Sequence, residues 1–367
     1  FYPDHEDLAA NVVGQYDAGD GKSSVRATRA ACGTHGTHVA GIAAAVADNG
    51  IGVAGAAAGA GLLLVDLDYE TRPGCPMDSA SLIRGLDYVV NGGAPRAQVV
   101  NMSIGTPSDL GRATRDALVA AQRAGLVLVG AAGNTQCSGG RDTFVPVSYP
   151  AAYPEVWAIG ATDPGNGRAC YSHVGGELRF VAPGGDSSYD SGRFDAVYST
   201  DHDPVAGQDT YGWMEGTSMA APLVSGVVAL LWSAVPSATP EELLQALIAG
   251  AVDLGDPGRD NLFGYGLVDA PAAFEALTGG SEPPPPPPPP PPSRVVRITV
   301  PGYGTHVLDP DGAFTLIDAP LGPLTVVAES DDDGDGVFAE PGEGRGSATV
   351  DVEFDADNRV YVELQVQ

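Results

Sequence analysis

Ten consecutive prolines at 283–292 divide this chain more sharply than any other feature. Proline has no amide hydrogen and holds φ near −65°, so neither a helix nor a sheet ladder can run through such a stretch. It settles into polyproline II, a semi-rigid spacer of about 31 Å at ~3.1 Å per residue. The segments on its two sides must therefore fold separately. The sequence divides into a large part at 1–278, a Pro-rich linker at 279–293 and a small part at 294–367.

The large part alternates short apolar runs with helical stretches. "LLLVDLD" (62–68), "QVVNMSI" (98–104), "LVLVGAAG" (126–133) and "VWAIGATD" (156–163) read as strands apolar on both faces, as in a parallel sheet covered by helices. "DSASLIRGLDYVV" (78–90) and "LGRATRDALVAAQRA" (110–124) have helical periodicity, the first starting at Asp78 or Ser79. The expectation is an α/β fold with a doubly wound, mainly parallel sheet, whose sites gather at the carboxyl ends of the strands. After the linker, "RVVRITV", "AFTLIDA", "LTVVAES", "ATVDVEF" and "RVYVELQV" are short strands separated by Gly, Pro and Asp. They predict a small all-β sandwich.

Charge and cysteine content narrow the partners. With 47 acidic and 18 basic residues the formal charge is −29, and Lys22 is the only lysine. Such a surface repels nucleic acid and anionic membranes. No uninterrupted apolar run reaches the ~18 residues of a membrane span. Cys32, Cys75, Cys137 and Cys170 form no CxxC pair, which argues against a zinc site. An even count suggests two disulfides and export, and three pairings are open.

Three stretches carry chemistry. In "GTHGTHVAGIAAAVA" His35 and His38 head an Ala-rich helix; "VGAAGN" is a buried strand ending in Asn134; in "GTSMAAPLVSGVVALLW" Ser218 opens an apolar helix. Pro222 is tolerable near that helix's first turn. Singly, each residue reads as a cap or turn residue. Together they fit one mechanism: a hydroxyl nucleophile needs an adjacent imidazole, and the oxyanion it creates needs fixed donors.

"HGTHVAG", "VVNMSIG", "AAGN" and "GTSMAAP" resemble the blocks of the subtilisin-like serine peptidases (subtilases). "SYPAAYPEVWAIGATD" and "FGYGLVDAPAAFEAL" extend the likeness over roughly 1–277. The resemblance implies a secreted, monomeric serine endopeptidase acting on proteins or peptides, made with an N-terminal propeptide that is later removed, and without a catalytic cofactor. It implies His35 as base, Ser218 as nucleophile and Asn134 as oxyanion donor, with His38 structural. Ser103, Ile104 and Gly105 would pair with substrate backbone, and Ala132 and Gly133 would wall the pocket. It also implies the disulfides Cys32–Cys75 and Cys137–Cys170.

The family's third catalytic member is an Asp that closes its first strand, immediately before a segment resembling "FYPDHEDL", with His5 and Asp7-Leu8 in place. On that alignment the acid lies upstream of Phe1, and the chain is expected to be an N-terminal truncation of low activity. Asp17, in "VVGQYDAGDG", is the rival acid. The alternative reading is a catalytically dead scaffold that binds or anchors. In the small part, which resembles carboxypeptidase-regulatory-like or transthyretin-like domains, Asp331, Asp333 and Asp335 have the D-x-D-x-D-G spacing of a calcium loop. A bound structural calcium and a solvated acidic turn both fit that spacing. Family members also hold calcium with an Asp matching Asp7 and the loop near Asp48, but "VADNGIG" departs from the liganding pattern.

Overall fold

The computed structural model describes residues 1–25, 33–69, 76–92, 96–136, 144–187 and 195–279, and beyond them the backbone of four strands. The chain divides into two compact units, Phe1–Pro283 and Pro284–Gln367.

In the first unit β3 (Val99–Met102), β4 (Val127–Ala131), β5 (Trp157–Thr162) and β6 (Leu178–Pro183) form a parallel sheet in sequence order. β4 and β5 are buried along their whole length, as the continuous apolar runs predict. A second parallel pair, β1 (Val12–Asp17) with β2 (Leu62–Asp66), lies in the same unit. The α/β expectation holds in this mixed form. An antiparallel hairpin, β7 (Val197–Asp203) with β8 (Gln208–Met214), is added to it.

Helices cover the sheet. α2 (Ser79–Asn91) starts at Asp78, whose carboxylate accepts from the Ser81 amide while Ser81 returns the bond, so the cap is Asp78 and not Ser79. α2 and α3 (Arg112–Arg123) bury Leu82, Leu86 and Leu118 against Leu128 and Val156. α4 (Thr217–Ala234) runs through the main core with Val129, Ile159 and Phe180. α5 (Pro240–Gly250) and α6 (Ala270–Thr278) close that core with Leu243, Leu247 and Ala273. α4 is long and apolar enough to cross a membrane, yet 61% of it is buried inside the fold, as a core helix requires.

α1 (His35–Ala44) crosses the β7 strand very closely. Ser199 Oγ donates to the His38 carbonyl at 2.9 Å and Thr200 Oγ1 to the Thr37 carbonyl at 2.7 Å. A Cβ on Gly41 would lie 2.2 Å from Thr200 Oγ1 and 2.4 Å from Ser199 Oγ, so only glycine permits the approach.

The second unit contains an antiparallel sheet in the order β10 (Gly304–Val307), β9 (Val295–Val300), β11 (Gly322–Asp331), β12 (Arg345–Val352). The expected strands at 313–319 and 359–366 lie outside the described residues, so the structure describes one sheet and not the sandwich's second layer.

Candidate active site

α1 and α4 bring their N-termini together. Val39 and Ile42 of α1 form one cluster with Met219, the residue after Ser218. His35, one turn before Val39, and Ser218 therefore open two packed helices at neighbouring ends. Ser103, just past the carboxyl end of β3, joins them: its hydroxyl donates to the Ser218 carbonyl at 2.8 Å, and Ser218 Oγ donates to the Ser103 carbonyl at 3.5 Å.

Pro222 explains the first of those bonds. It is the sixth residue of α4, counted from Thr217, and so lies one turn deeper than the sequence reading placed it. Lacking an N–H, it leaves the Ser218 carbonyl without its helical donor. The Ser103 hydroxyl supplies the replacement. Ser103 is itself held by Asn101 Nδ2 at 3.0 Å, and Asn101 Oδ1 accepts from Ser225 Oγ one turn further along α4. Ser103→Ala should leave a buried carbonyl unpaired and cost about 1–3 kcal/mol. Urea unfolding of the variant checks this, and an unchanged midpoint would contradict it.

Asn134 follows β4 and its side chain has a fixed orientation. Its Oδ1 accepts from the Thr217 amide at 3.0 Å and from Thr217 Oγ1 at 2.9 Å. An amide N–H can only donate, so the oxygen must face Thr217 and the Nδ2 group points away from it. Thr217 Oγ1 in turn accepts from the Gly133 amide at 3.1 Å. The first N–H of α4 is thus capped by a side chain from another strand. The Ser218 amide has no acceptor among the described residues and lies beside Asn134 at the helix's positive end. Gly216, at φ +147°, permits the approach: a Cβ there would stand 3.1 Å from Asn134 Nδ2. Thr217 and Asn101 were missed in the sequence reading, although both lie inside the quoted blocks.

Ala132 is buried and Gly133 half-buried beside Asn134. Gly133 has φ +110°, and a Cβ would meet His173 Nδ1 and Ser148 Oγ at 2.5 Å. Ile104 packs partly into the α2–α3 core, and Gly105 is exposed. Thr106 then pairs with Tyr149.

His35 is open to solvent at one edge, but protein crowds its other sides. That desolvation is the main cause lowering its pKa, followed by repulsion from His38 and the chain's amino terminus. The ring is thereby kept neutral and able to accept a proton near pH 7. Among the described residues no carboxylate hydrogen-bonds to it. Asp17 is committed to its own turn, accepting from the Asp20 amide at 2.7 Å and lying 3.7 Å from Lys22 Nζ. Asp66 accepts from the Asp68 amide. His38 is fully buried and its Nε2 bonds the Gly212 carbonyl at 3.1 Å, which fits a structural role.

Burial also lowers the pKa values of His38 and His173. The unfolded chain then takes up protons first as pH falls below about 6.5. This stability is fully present above that pH and is lost as pH falls toward the folded-state values. The urea midpoint should be lower at pH 5.5 than at pH 8; equal midpoints would contradict the assignment.

The remaining candidates are dispersed. Cys170 is buried and disulfide-bonded, whereas Cys32, Cys75 and Cys137 lie outside the described residues. Asp331 ends β11, and Asp333 and Asp335 lie outside the described residues. Asp7 is fully buried, and both its oxygens are occupied, by Asn49 Nδ2 at 2.7 Å and the Val53 amide at 2.9 Å. The Asn49 orientation is set by the Ile51 amide on its Oδ1.

This geometry has close parallels among known proteins. The subtilase family profile (Peptidase_S8) matches residues 1–266. The chain belongs to the subtilase family. It is 36% identical over 239 residues to Subtilisin DY of Bacillus licheniformis, covering 65% of this chain and 77% of that protein. It is 36% identical over 268 residues to the minor extracellular protease Epr of Bacillus subtilis, covering 73% of this chain but 36% of Epr. With the thermostable alkaline protease of Halalkalibacterium halodurans the identity is 38%, over 65% of this chain and 57% of that one. The chain thus spans only part of some of these subtilases. Among solved structures, a Pseudoalteromonas arctica protease superposes with TM-score 0.64 at 33% identity, covering 76% of this chain and 87% of that one.

Proposed function

We propose that this subtilase is a serine endopeptidase in which Ser218 is the nucleophile, His35 the base and Asn134 the oxyanion donor. The observation that carries the reading is the Asn134–Thr217 lock, which turns Nδ2 away from Thr217 beside the open Ser218 amide. A peptide carbonyl placed over Ser218 would be attacked by Oγ while His35 takes the hydroxyl proton. The resulting oxyanion would accept from the Ser218 N–H and Asn134 Nδ2. The imidazolium then gives its proton to the departing amine, and water hydrolyses the acyl-enzyme. Substrate backbone would lie along Ser103–Ile104–Gly105 as an added strand.

Asn134→Ala should lower kcat for a fluorogenic peptide by about 10²–10³ with little change in KM, a magnitude measured in a subtilisin rather than obtained from this chain. An unchanged kcat would remove Asn134 from the mechanism.

A second reading, a binding scaffold without turnover, is favoured by one observation: no described carboxylate bonds His35. Covalent capture of Ser218 by a fluorophosphonate separates the two, because a dead scaffold leaves the reagent untouched.

Protein or peptide substrates and an extracellular location follow from the family reading, Epr being an extracellular protease by name. The same reading supplies the pairings Cys32–Cys75 and Cys137–Cys170. The Asp331, Asp333 and Asp335 run would hold a structural calcium ion; the calcium would serve the second unit and not the chemistry.

A further inference from the structure

The β7–β8 hairpin turns one face to α1 and the other to solvent. Val197 and Met214, paired across it, pack with Val39 and Ile42 of α1. Their strand neighbours Tyr198 and Trp213, the next pair, fall on the opposite face and are 42% and 37% exposed. These two rings lie 4.7 Å apart, and the Tyr211 ring is 6.1 Å from Tyr198. Tyr211 Oη donates to Glu6 Oε1 at 3.1 Å, and the Glu6 amide is held by Asp209 at 3.0 Å. Trp213, Tyr198, Tyr211 and Glu6 thus form one row of aromatic rings that ends in an exposed carboxylate. Contiguous exposed aromatic surface marks a contact site.

Charge selects the occupant. Residues 1–8 and 195–216 contain no lysine or arginine. Glu6 makes no ion pair among the described residues, and a carboxylate that accepts from one tyrosine can accept further bonds. A guanidinium is planar, stacks on aromatic faces and offers a carboxylate two donors, so it matches both parts of the row. An apolar or proline-rich segment would use the rings and leave Glu6 unused.

The fold also places the row relative to the chemistry. β7 grips α1 at the Thr37 and His38 carbonyls, within one turn of His35. A general acid must lie within hydrogen-bond reach of the amine it protonates, so the departing part of a substrate lies on the α1 side. Trp213 is five positions before Ser218, which keeps their Cα atoms within about 18 Å.

We propose that this row docks an arginine of the substrate, within about five residues of the cleaved bond on its departing side. The placement rests on the proposed roles of His35 and Ser218; the choice of arginine rests on the row itself.

The test uses internally quenched peptides with arginine, or its neutral isostere citrulline, at each position in turn after one cleaved bond, located by mass spectrometry of the products. At the docking position kcat/KM for arginine should exceed that for citrulline about tenfold, the order of one stacked, ion-paired guanidinium, and molar salt should shrink the difference. Trp213→Ala, or Tyr198→Ala should the first not fold, and Glu6→Gln should each bring the ratio near unity while citrulline peptides are cleaved as before. Equal kcat/KM for both series at every position, or a ratio that survives these substitutions, overturns the proposal. If the chain shows no turnover, tryptophan emission reads the same peptides. A change with arginine that Trp213→Ala abolishes keeps the arginine site and overturns only the peptidase reading. No change, or an equal change with citrulline or a neutral polyproline peptide, overturns the site.

Discussion

Ser218→Ala should reduce hydrolysis of a fluorogenic peptide about 70-fold while far-UV circular dichroism and Tm stay unchanged. The side chain is half-buried, and its one hydrogen bond among the described residues, to the Ser103 carbonyl at 3.5 Å, is long. Little stability therefore depends on it. The size of the loss follows from what a full triad and a partial one achieve. In a subtilisin, removing the serine costs about 2 × 10⁶ in kcat and removing the acid alone about 3 × 10⁴; both figures belong to that enzyme and not to this chain. Their ratio, about 70, is the loss expected when His35 works without a bonded carboxylate. Turnover unaffected by the substitution would mean that hydrolysis arises elsewhere on the surface.

Gly41→Val should have the largest effect on stability, about 4 kcal/mol or more by urea unfolding. A Cβ at that position would overlap the hydroxyls of Ser199 and Thr200, which hold the Thr37 and His38 carbonyls. Overpacking costs about 1–3 kcal/mol, and each buried polar group left unpaired adds about 1–3 more. Separating α1 from β7 would also tilt the helix that begins with His35. Activity should therefore fall with stability. A variant of unchanged midpoint would show that α1 and β7 are not held this closely in solution.

Four of the six parallel strands, β2 to β5, were legible because each lies in an uninterrupted apolar run. The β7–β8 hairpin was not legible. Its buried positions include Ser199 and Thr200, which face helix carbonyls instead of apolar side chains, so no hydrophobic alternation marks β7. β6 was missed too; Arg179 and the flanking glycines interrupt its pattern, although Leu178, Phe180 and Val181 are all fully buried. At the site, His35, Ser218 and Asn134 could be singled out from helix and strand ends. Thr217 and Asn101 could not, because their function is to hold other polar groups across the fold. Pro222 was placed too early in its helix. A proline in the second turn is tolerated here because a distant serine replaces the lost donor, and no local rule contains that partner. The hydrogen bonds of Asp17 likewise depend on Asp20 and Lys22 and became visible only with coordinates.

The central claim is that Ser218 is an activated hydroxyl served by His35. Treating the chain with a fluorophosphonate and locating the adduct by mass spectrometry tests it most directly. One phosphonyl group should be found, on Ser218, and His35→Ala should slow its formation at least tenfold. Absence of an adduct, or one on a different serine, would contradict the account.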